Sequence, residues 1–439
     1  VAGTDRKRHE RFDFPDRSAL EAKIRALDLE IPLSDEIGIL FSPVEIAGRT
    51  VPNRFVVHPM EGADANDRGA PGVLTFRRYE RFAAGGSGVV WFEATAVNPA
   101  FRSNPRQLVL AEENVDAFRD LVRRARRAAA HGNALLILQL THPGRFCKPD
   151  PVIAQHNPVL DRLRDLPGDY PLVTDEELDR LQDDYLRAAR RAARAGFDGV
   201  DIKACHGYLV SELLASHTRE DSRYGGGFEN RARFLLEVIK KIQSDVPELI
   251  VTSRITALDG LRSPYGFIDE AEVLMKRLEQ AGCPLVNMSL GIPYHNPHFG
   301  RPYNTVLKGG MKPNEHPLVG VERLINAAAA VQRAAPGTPV VGTGYSWLRQ
   351  FFPHAAAAAV RDRKATLIGL GRTAFAFPDW VKHLEEHGDL PEDRLCIGCS
   401  ACSQLLRDGL CAGCIVRDVD VYLPIYKQGN TGGLPPHGN

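Results

Sequence analysis

The stretch DIKACHGYLVSEL, Asp201 to Leu213, places Lys203, Cys205, His206 and Tyr208 at the end of a short apolar run. Lys203 and His206 are three residues apart, a spacing that points them to opposite faces of an ideal strand. They meet only if the chain curls as the strand ends, and Gly207 permits such a curl. Brought together, two N–H donors would hold a carbonyl oxygen and stabilise the negative charge developing on it. Tyr208 would then be placed to deliver a proton. Taken singly, each has a plainer reading: an ion-paired lysine, a satisfied core histidine, a packed tyrosine.

A second stretch, CIGCSACSQLLRDGLCAGC, holds Cys396, Cys399, Cys402, Cys411 and Cys414, five of the chain's eight cysteines. Such crowding favours metal binding over disulfide pairing. Three cysteines at a spacing of three set thiolates round a tight loop, and a fourth farther along closes the opposite side of a cubane iron–sulfur cluster. Cys414 is the expected fourth ligand, with Cys411 as its competitor. The other arrangement is structural zinc held by Cys396, Cys399, Cys411 and Cys414, two Cys-x-x-Cys knuckles. Zinc would leave Cys402 unused, which favours the cluster.

A third set is glycine-based. GTGYS (Gly342, Gly344) and GLGRTAFAFPDW (Gly371, Arg372) place backbone amides where an anion can approach, with Arg372 adding charge. The second also fits G-x-G-x-x-A, but no further strand–helix–strand half follows it, so a dinucleotide fold is discounted. A phosphate-bearing cofactor is the expectation; glycines present only for turns are the alternative.

The elements that must position these residues are legible. RFVVHPM, GVVWFEATAV, ALLILQL, GVDIKA, LIVTSRIT, PLVNMSL, PVVGTG and ATLIGLG are eight strand candidates rich in Val, Ile and Leu. Between most of them lie amphipathic helical stretches, one opening on Thr174 with Glu177 three later, a capping box. Eight such units predict an α/β fold, a (β/α)8 barrel, whose chemistry belongs where strands end. Polar residues gather there: His58 to Glu61, Gln139 to His142, Lys203 to His206, Arg254, and Gly342 to Gly344. The predicted organisation is a polar arm (1–38), the barrel (39–388), and a cysteine-rich segment with tail (389–439). That last segment is too short to bury a core of its own. Within it, only KQGNTGGLPPHGN reads as disordered.

The 439 residues are 44% hydrophobic and 25% charged, with 55 basic and 55 acidic side chains. Balanced charge gives no long-range field for nucleic acid or an anionic membrane. No run reaches the roughly 18 apolar residues of a membrane span, and no leader is evident, so a cytoplasmic protein is expected.

These residues resemble the old yellow enzyme family of FMN-dependent oxidoreductases, in its iron–sulfur branch with dienoyl-CoA reductase and trimethylamine dehydrogenase. The resemblance spans about 40 to 418. LFSPVEIAGRTVPNRFVVHPM, QLTHPGR, HGYLVSELLASHTREDSRYGGGFENRARF and LIGLGRTAFAFPDW carry it. It implies FMN across the top of the barrel, with Pro59 and Met60 flanking the ring, Gln139 at its pyrimidine edge and Arg254 near N1. Gly344, Gly371 and Arg372 would cradle the phosphate, with Gly342 on the same strand end. His206 matches the second member of the pair that holds the substrate oxygen, and Tyr208 the proton donor. The cysteine block resembles the branch's 4Fe-4S motif.

Two departures stand out. Lys203 replaces the usual first member of the pair, commonly His, keeping a donor but adding charge. Glu61 stands where relatives often carry Cys or Thr, which argues against covalent flavin; it would pair with Lys203 or act as a base of raised pKa. The branch's two nucleotide-binding domains have no counterpart here. NAD(P)H would therefore react directly at FMN, or electrons would pass to a ferredoxin or flavoprotein partner.

The leading expectation is a reductase for a C=C conjugated to a carbonyl on a small-molecule substrate. The alternatives are an amine or methylated-amine dehydrogenase, and a non-catalytic barrel with structural zinc. Tyr294, His295, His298 and Tyr303 of the loop GIPYHNPHFGRPYN are expected to line the pocket, and a homo-oligomer is the expected assembly.

Overall fold

The computed structural model describes residues 5–261 and 268–430. An antiparallel hairpin, β1 (Val44–Ile46) and β2 (Arg49–Val51), precedes eight further strands. These are β3 (Phe55–Val57), β4 (Val89–Ala96), β5 (Leu135–Thr141), β6 (Gly199–Ala204), β7 (Ile250–Thr256), β8 (Val286–Ser289), β9 (Val340–Gly342) and β10 (Leu367–Leu370). They pair in parallel in chain order, and β10 returns to pair with β3, so the barrel is closed. Each of the eight predicted strands coincides with one of them, β5 running one residue further, to Thr141. The architecture is a (β/α)8 barrel.

Burial explains the composition of the strands. β4, β5 and β6 are buried at every position, as strands with helices outside and packed side chains inside must be. One face, including Val89, Trp91, Leu135, Ile137 and Val341, packs together with Ile46 and Val51 of the hairpin, which covers that end of the barrel. The alternate face, including Val90, Phe92, Leu136 and Leu138, joins the apolar stripes of the surrounding helices. Helix Asp175–Ala195 starts at the expected capping box: the Thr174 hydroxyl accepts from the Glu177 amide, and the Glu177 carboxylate accepts from the Thr174 amide at 2.8 Å. It stops at Gly196, whose φ of 91° suits glycine.

Two expectations need correction. The described part of the N-terminal arm is more than a polar tether, since it contains helix Arg17–Ala26. Phe12, Leu20, Ile24 and Leu27 from the arm share a core with Trp347, Phe352 and Trp380. The tail from Lys427 begins in a helix, Val419–Asn430, rather than in disorder, and 431–439 lie outside the described residues. Among the described residues, the cysteine-rich segment packs on cores built elsewhere. Leu390 and Leu395 are built into the arm's cluster, and Cys402 and Cys414 pack on the barrel's main core. No helix among the described residues is long and apolar enough to cross a membrane.

Candidate active site

The end of β6 turns as its sequence requires. His206 and Gly207 both lie in the left-handed region, with φ of 68° and 73°, and the His206 amide is anchored on the Thr256 hydroxyl at 2.9 Å. This curl brings Lys203, His206 and Tyr208 onto the wall of one cavity of about 510 Å³, within the usual range for ligand pockets. Lys203 lies over the Tyr208 ring, 3.5 Å from its centroid, and 3.6 Å from the Glu61 carboxylate. The Tyr208 hydroxyl donates to that same carboxylate at 2.9 Å, and the Ser103 hydroxyl donates to its other oxygen at 3.1 Å. Glu61 is thus the ion-pair partner of Lys203, one of the two roles its sequence position allowed.

Burial dominates the protonation of this group. It lowers the Lys203 ammonium from its ordinary range, opposed chiefly by Glu61. It holds the Tyr208 phenol well above its usual value, reinforced by Glu61 and Tyr294, so the hydroxyl keeps its proton. His206 is pushed well below its usual value by burial, then by Arg254 and Lys203, and stays neutral. Its Nε2 is 2.7 Å from the Ser289 hydroxyl.

A second cavity adjoins the first. Both are lined by Pro59, His206, Arg254, Pro293 and Arg301, so they form one cleft over the strand ends. The second adds Met60, Thr343, Gly344, Gly371 and Arg372, and no carboxylate lines it. Two cleft residues carry buried polar atoms with no partner among the described residues, Arg254 Nε and Arg372 Nη1, as do Asn287 Oδ1 and Asp201 Oδ1 on the strands. Gln139 donates to Asp201 at 2.6 Å, and burial raises the Asp201 carboxyl to about 6 against that bond and one from Trp91. Gly342 lines neither cavity. It belongs to β9, and a Cβ there would meet Ala365 at 2.9 Å; Thr343 takes the lining position.

The cysteines divide. Cys396, Cys399, Cys402 and Cys414 line one largely apolar cavity together with Arg372 and Phe375, and Cys411 does not. Cys411 is buried, and burial raises its thiol, opposed by the charges of Arg106 and Arg78. The loop carrying Cys396 and Cys399 is shaped by left-handed Gly398 and Ser400, and the Gly398 amide donates to Cys396 Sγ at 3.4 Å. Burial pushes the Cys414 thiol up to about 11. Among the described residues, no three His, Cys, Asp or Glu side chains converge on a single metal-ion position.

The sequence matches the NADH:flavin oxidoreductase / NADH oxidase family over residues 39–390. The chain belongs to this family. It is therefore a flavin-dependent oxidoreductase. It is 33% identical over 259 residues to an NADPH dehydrogenase of Halalkalibacterium halodurans, covering 57% of this chain and 73% of that protein. It is 28% identical over 370 residues to an NADH oxidase of Thermoanaerobacter brockii, covering 82% of this chain and 52% of that one. Among solved structures, a 2-naphthoyl-CoA reductase superposes with a TM-score of 0.71 at 21% identity, over 90% of this chain and 58% of that one. A histamine dehydrogenase from Rhizobium sp. 4-9 gives 0.68 at 21% identity, over 89% and 53%. The chain thus spans about half the length of the NADH oxidase and of the histamine dehydrogenase.

Within this flavin oxidoreductase, His58 lies at the strand end where the sequence places it, whereas one cleft residue, Arg301, was not among those expected. His58 is buried and hydrogen-bonded to Thr343 at 3.0 Å, beneath the glycine turn. Arg301 reaches both cavities; burial and neighbouring Arg372 lower its guanidinium to about 10, against the pull of Cys402. Arg301 lies in the same loop as the expected aromatic and His side chains, and an arginine between Gly300 and Pro302 was the signal available. Of that loop's expected pocket residues, Tyr294 lines the cleft; Tyr303 is buried beside His9, and His295 and His298 line neither cavity.

Proposed function

We propose that this oxidoreductase binds FMN along the cleft and reduces a carbon–carbon double bond conjugated to a carbonyl. The residues present fit that cofactor. Arg301, Arg372 and the glycine turn at Thr343–Gly344 would hold the phosphate at the end where no carboxylate intrudes. Gln139, Arg254, Pro59 and Met60 would hold the ring, and the partnerless Arg254 Nε is the kind of buried donor a flavin acceptor would satisfy. FMN bound there supplies a hydride to an electron-poor carbon and exchanges electrons in pairs or singly.

The observation that carries the reading is the convergence of Lys203, His206 and Tyr208 on one cavity wall, with Tyr208 held on Glu61. Lys203 and His206 grip the substrate carbonyl oxygen and stabilise charge moving onto it. For Nδ1 to donate to the substrate, His206 Nε2 must accept from the Ser289 hydroxyl, 2.7 Å away. Tyr208, kept protonated by burial, gives its proton to the carbon beside the carbonyl. Lys203 steadies the resulting phenolate from above the ring, and Glu61 orients both.

The four cysteines around one cavity support a 4Fe-4S cluster rather than zinc, because the zinc arrangement would need Cys411, which stands apart. Relatives named for NADPH and NADH make a reduced nicotinamide the proposed external reductant; a ferredoxin or second flavoprotein would exchange electrons with the cluster. The rival reading is oxidation of an amine. Glu61, the cavity's only carboxylate among the described residues, would have to receive the ammonium, and it is already paired with Lys203.

Anaerobic mixing separates the two. Dithionite-reduced holoprotein should regain flavin absorbance with 4-phenyl-3-buten-2-one, and the oxidised form should be left unbleached by histamine or trimethylamine. Bleaching by an amine together with no response to the enone would reverse the assignment.

A further inference from the structure

The larger cavity is lined by six cations, Lys148, Arg164, Lys203, Arg254, Arg301 and Arg407, and by one carboxylate, Glu61. The chain as a whole has a net charge of zero, so the excess is local. Lys203 is paired with Glu61, and Arg254 and Arg301 also line the cavity that has no carboxylate. Lys148, Arg164 and Arg407 remain, none of which lines that second cavity.

These three share an unusual condition. Arg164 donates to the Cys147 carbonyl at 3.1 Å, and its Nε is buried without a partner. Arg407, the last residue of helix Ala401–Arg407 in the cysteine-rich segment, donates to the Pro293 carbonyl at 2.8 Å. Among the described residues none of the three is paired with a carboxylate, whereas helix arginines such as Arg190 and Arg277 are paired with Asp245 and Glu229. Beside them Phe146 and Tyr294 stack at 4.1 Å with an interplanar angle of 23°, and the Phe146 ring is 5.8 Å from that of Tyr208. Burial pushes the Tyr294 phenol up to about 12; Glu61 adds to this, while the Tyr208 hydrogen bond, Arg407 and Arg164 oppose it. Arg164 and Arg407 thus line the same cavity as this aromatic platform and the proton donor.

We propose that this part of the larger cavity is an anion subsite. The substrate carries a permanent negative group, carboxylate or phosphoryl, held by Arg164 and Arg407 with Lys148 adding charge, and its flat unsaturated part packs on Phe146 and Tyr294. Guanidinium forks suit both groups, and unpaired cations at a cavity mouth also speed the capture of anions. This rests on the reductase reading above. It further assigns the cysteine-rich segment a part in choosing the substrate, because Arg407, Ser403 and Leu406 form one wall of the cavity.

The test uses holoprotein, the Arg164→Gln/Arg407→Gln double variant, and 4-phenyl-3-buten-2-one beside analogues bearing a para carboxylate or a para phosphate. Binding of 3-phenylpropionate, phenyl phosphate and 3-phenylpropanol, none of which has a reducible bond of this kind, is followed by calorimetry. The subsite predicts a kcat/KM about tenfold or more higher for a charged enone than for the neutral one, shrinking as salt is raised. In the double variant the charged substrates should lose at least about tenfold more than the neutral one. The preferred anion, carboxylate or phosphate, identifies the source. Equal use of neutral and charged enones, or equal loss on both in the variant, overturns the subsite. If no enone is reduced while 3-phenylpropionate still binds in an arginine-dependent way, the reductase reading falls and the subsite stands. If the neutral enone is reduced and no anion binds through the arginines, the subsite alone falls.

Discussion

The barrel mouth and the cysteine loop face each other across Arg301 and Arg372, yet they are held in place by different means. Lys203, Gln139 and Arg254 project from the ends of strands whose ladders close on themselves, so their positions follow from the packed barrel. The loop from Cys396 to Cys399 has no such frame. It hangs on hydrogen bonds, chiefly through Asn304, whose amide donates to the Gly398 carbonyl at 2.9 Å and whose Nδ2 donates to the Ile397 carbonyl at 2.8 Å. Asn304 Oδ1 in turn accepts from the Phe12 amide and the Trp347 indole, tying arm, barrel and loop at one side chain. A second tie is the Ala412 amide on the Gly62 carbonyl, one residue from Glu61. The barrel's shape therefore rests on its closed ladder, whereas the cysteine loop rests on a few hydrogen bonds and, in the proposed reading, on a cluster held by its thiols.

The sharpest way to break this contrast is Cys399→Ser beside Cys411→Ser. The first should abolish iron binding and leave residues 390–430 exchanging amide hydrogens freely, with flavin retained in the barrel; the second should keep its iron. Equal iron loss in both would erase the distinction between the thiols. Next in size is the buried pair. Lys203→Met should slow enone reduction about a thousandfold and cost a few kcal/mol by leaving Glu61 unpaired, and adding Glu61→Gln should restore most of the stability but not the rate. Stability from urea unfolding and rates from rapid mixing separate the two effects.

Asn304→Ala should cost about 3 kcal/mol, since the Phe12 amide and the Trp347 indole lose their acceptor and the Ile397 carbonyl loses its donor. It should also raise exchange at Ile397 and Gly398 more than anywhere in the strands. A uniform rise would mean that the loop is anchored elsewhere. The smallest effect concerns Asp201. Its folded carboxyl titrates near 6, above the unfolded value of about 4, so the folded state holds an extra proton between those limits. Wild-type stability should therefore fall as pH rises through that window and stay lowered above it. Asp201→Asn removes the titration and should gain about 2 kcal/mol relative to wild type on going from pH 4 to pH 8, read from urea midpoints. An unchanged difference across pH would place the proton elsewhere.

How much of this was legible follows the same division. All eight barrel strands could be read because burial on both faces demands unbroken Val, Ile and Leu, and strand ends then marked Gln139, Lys203, His206 and Arg254. The curl at His206 could be anticipated from Gly207. Cys402 and Cys414 could be chosen by spacing, which local chain geometry limits. Less legible were contacts made across the fold by ordinary residues. Asn304 and Arg407 carry no local signature, since their partners lie 43 and 114 residues away in sequence. The arm's Leu20, Ile24 and Leu27 had helical spacing, but so few charged-flanked apolar residues read as polar until Trp347 and Phe352 supplied the other half of their core.

The claim on which the account turns is that Tyr208, oriented by Glu61 and Lys203, gives up the proton that completes reduction of a conjugated double bond. Rapid anaerobic mixing of reduced Tyr208→Phe with 4-phenyl-3-buten-2-one, in H2O and in D2O, tests it most directly. Flavin reoxidation should slow about a hundredfold, with the solvent isotope effect of the wild type altered. Reoxidation at the wild-type rate, with the same isotope effect, would contradict it.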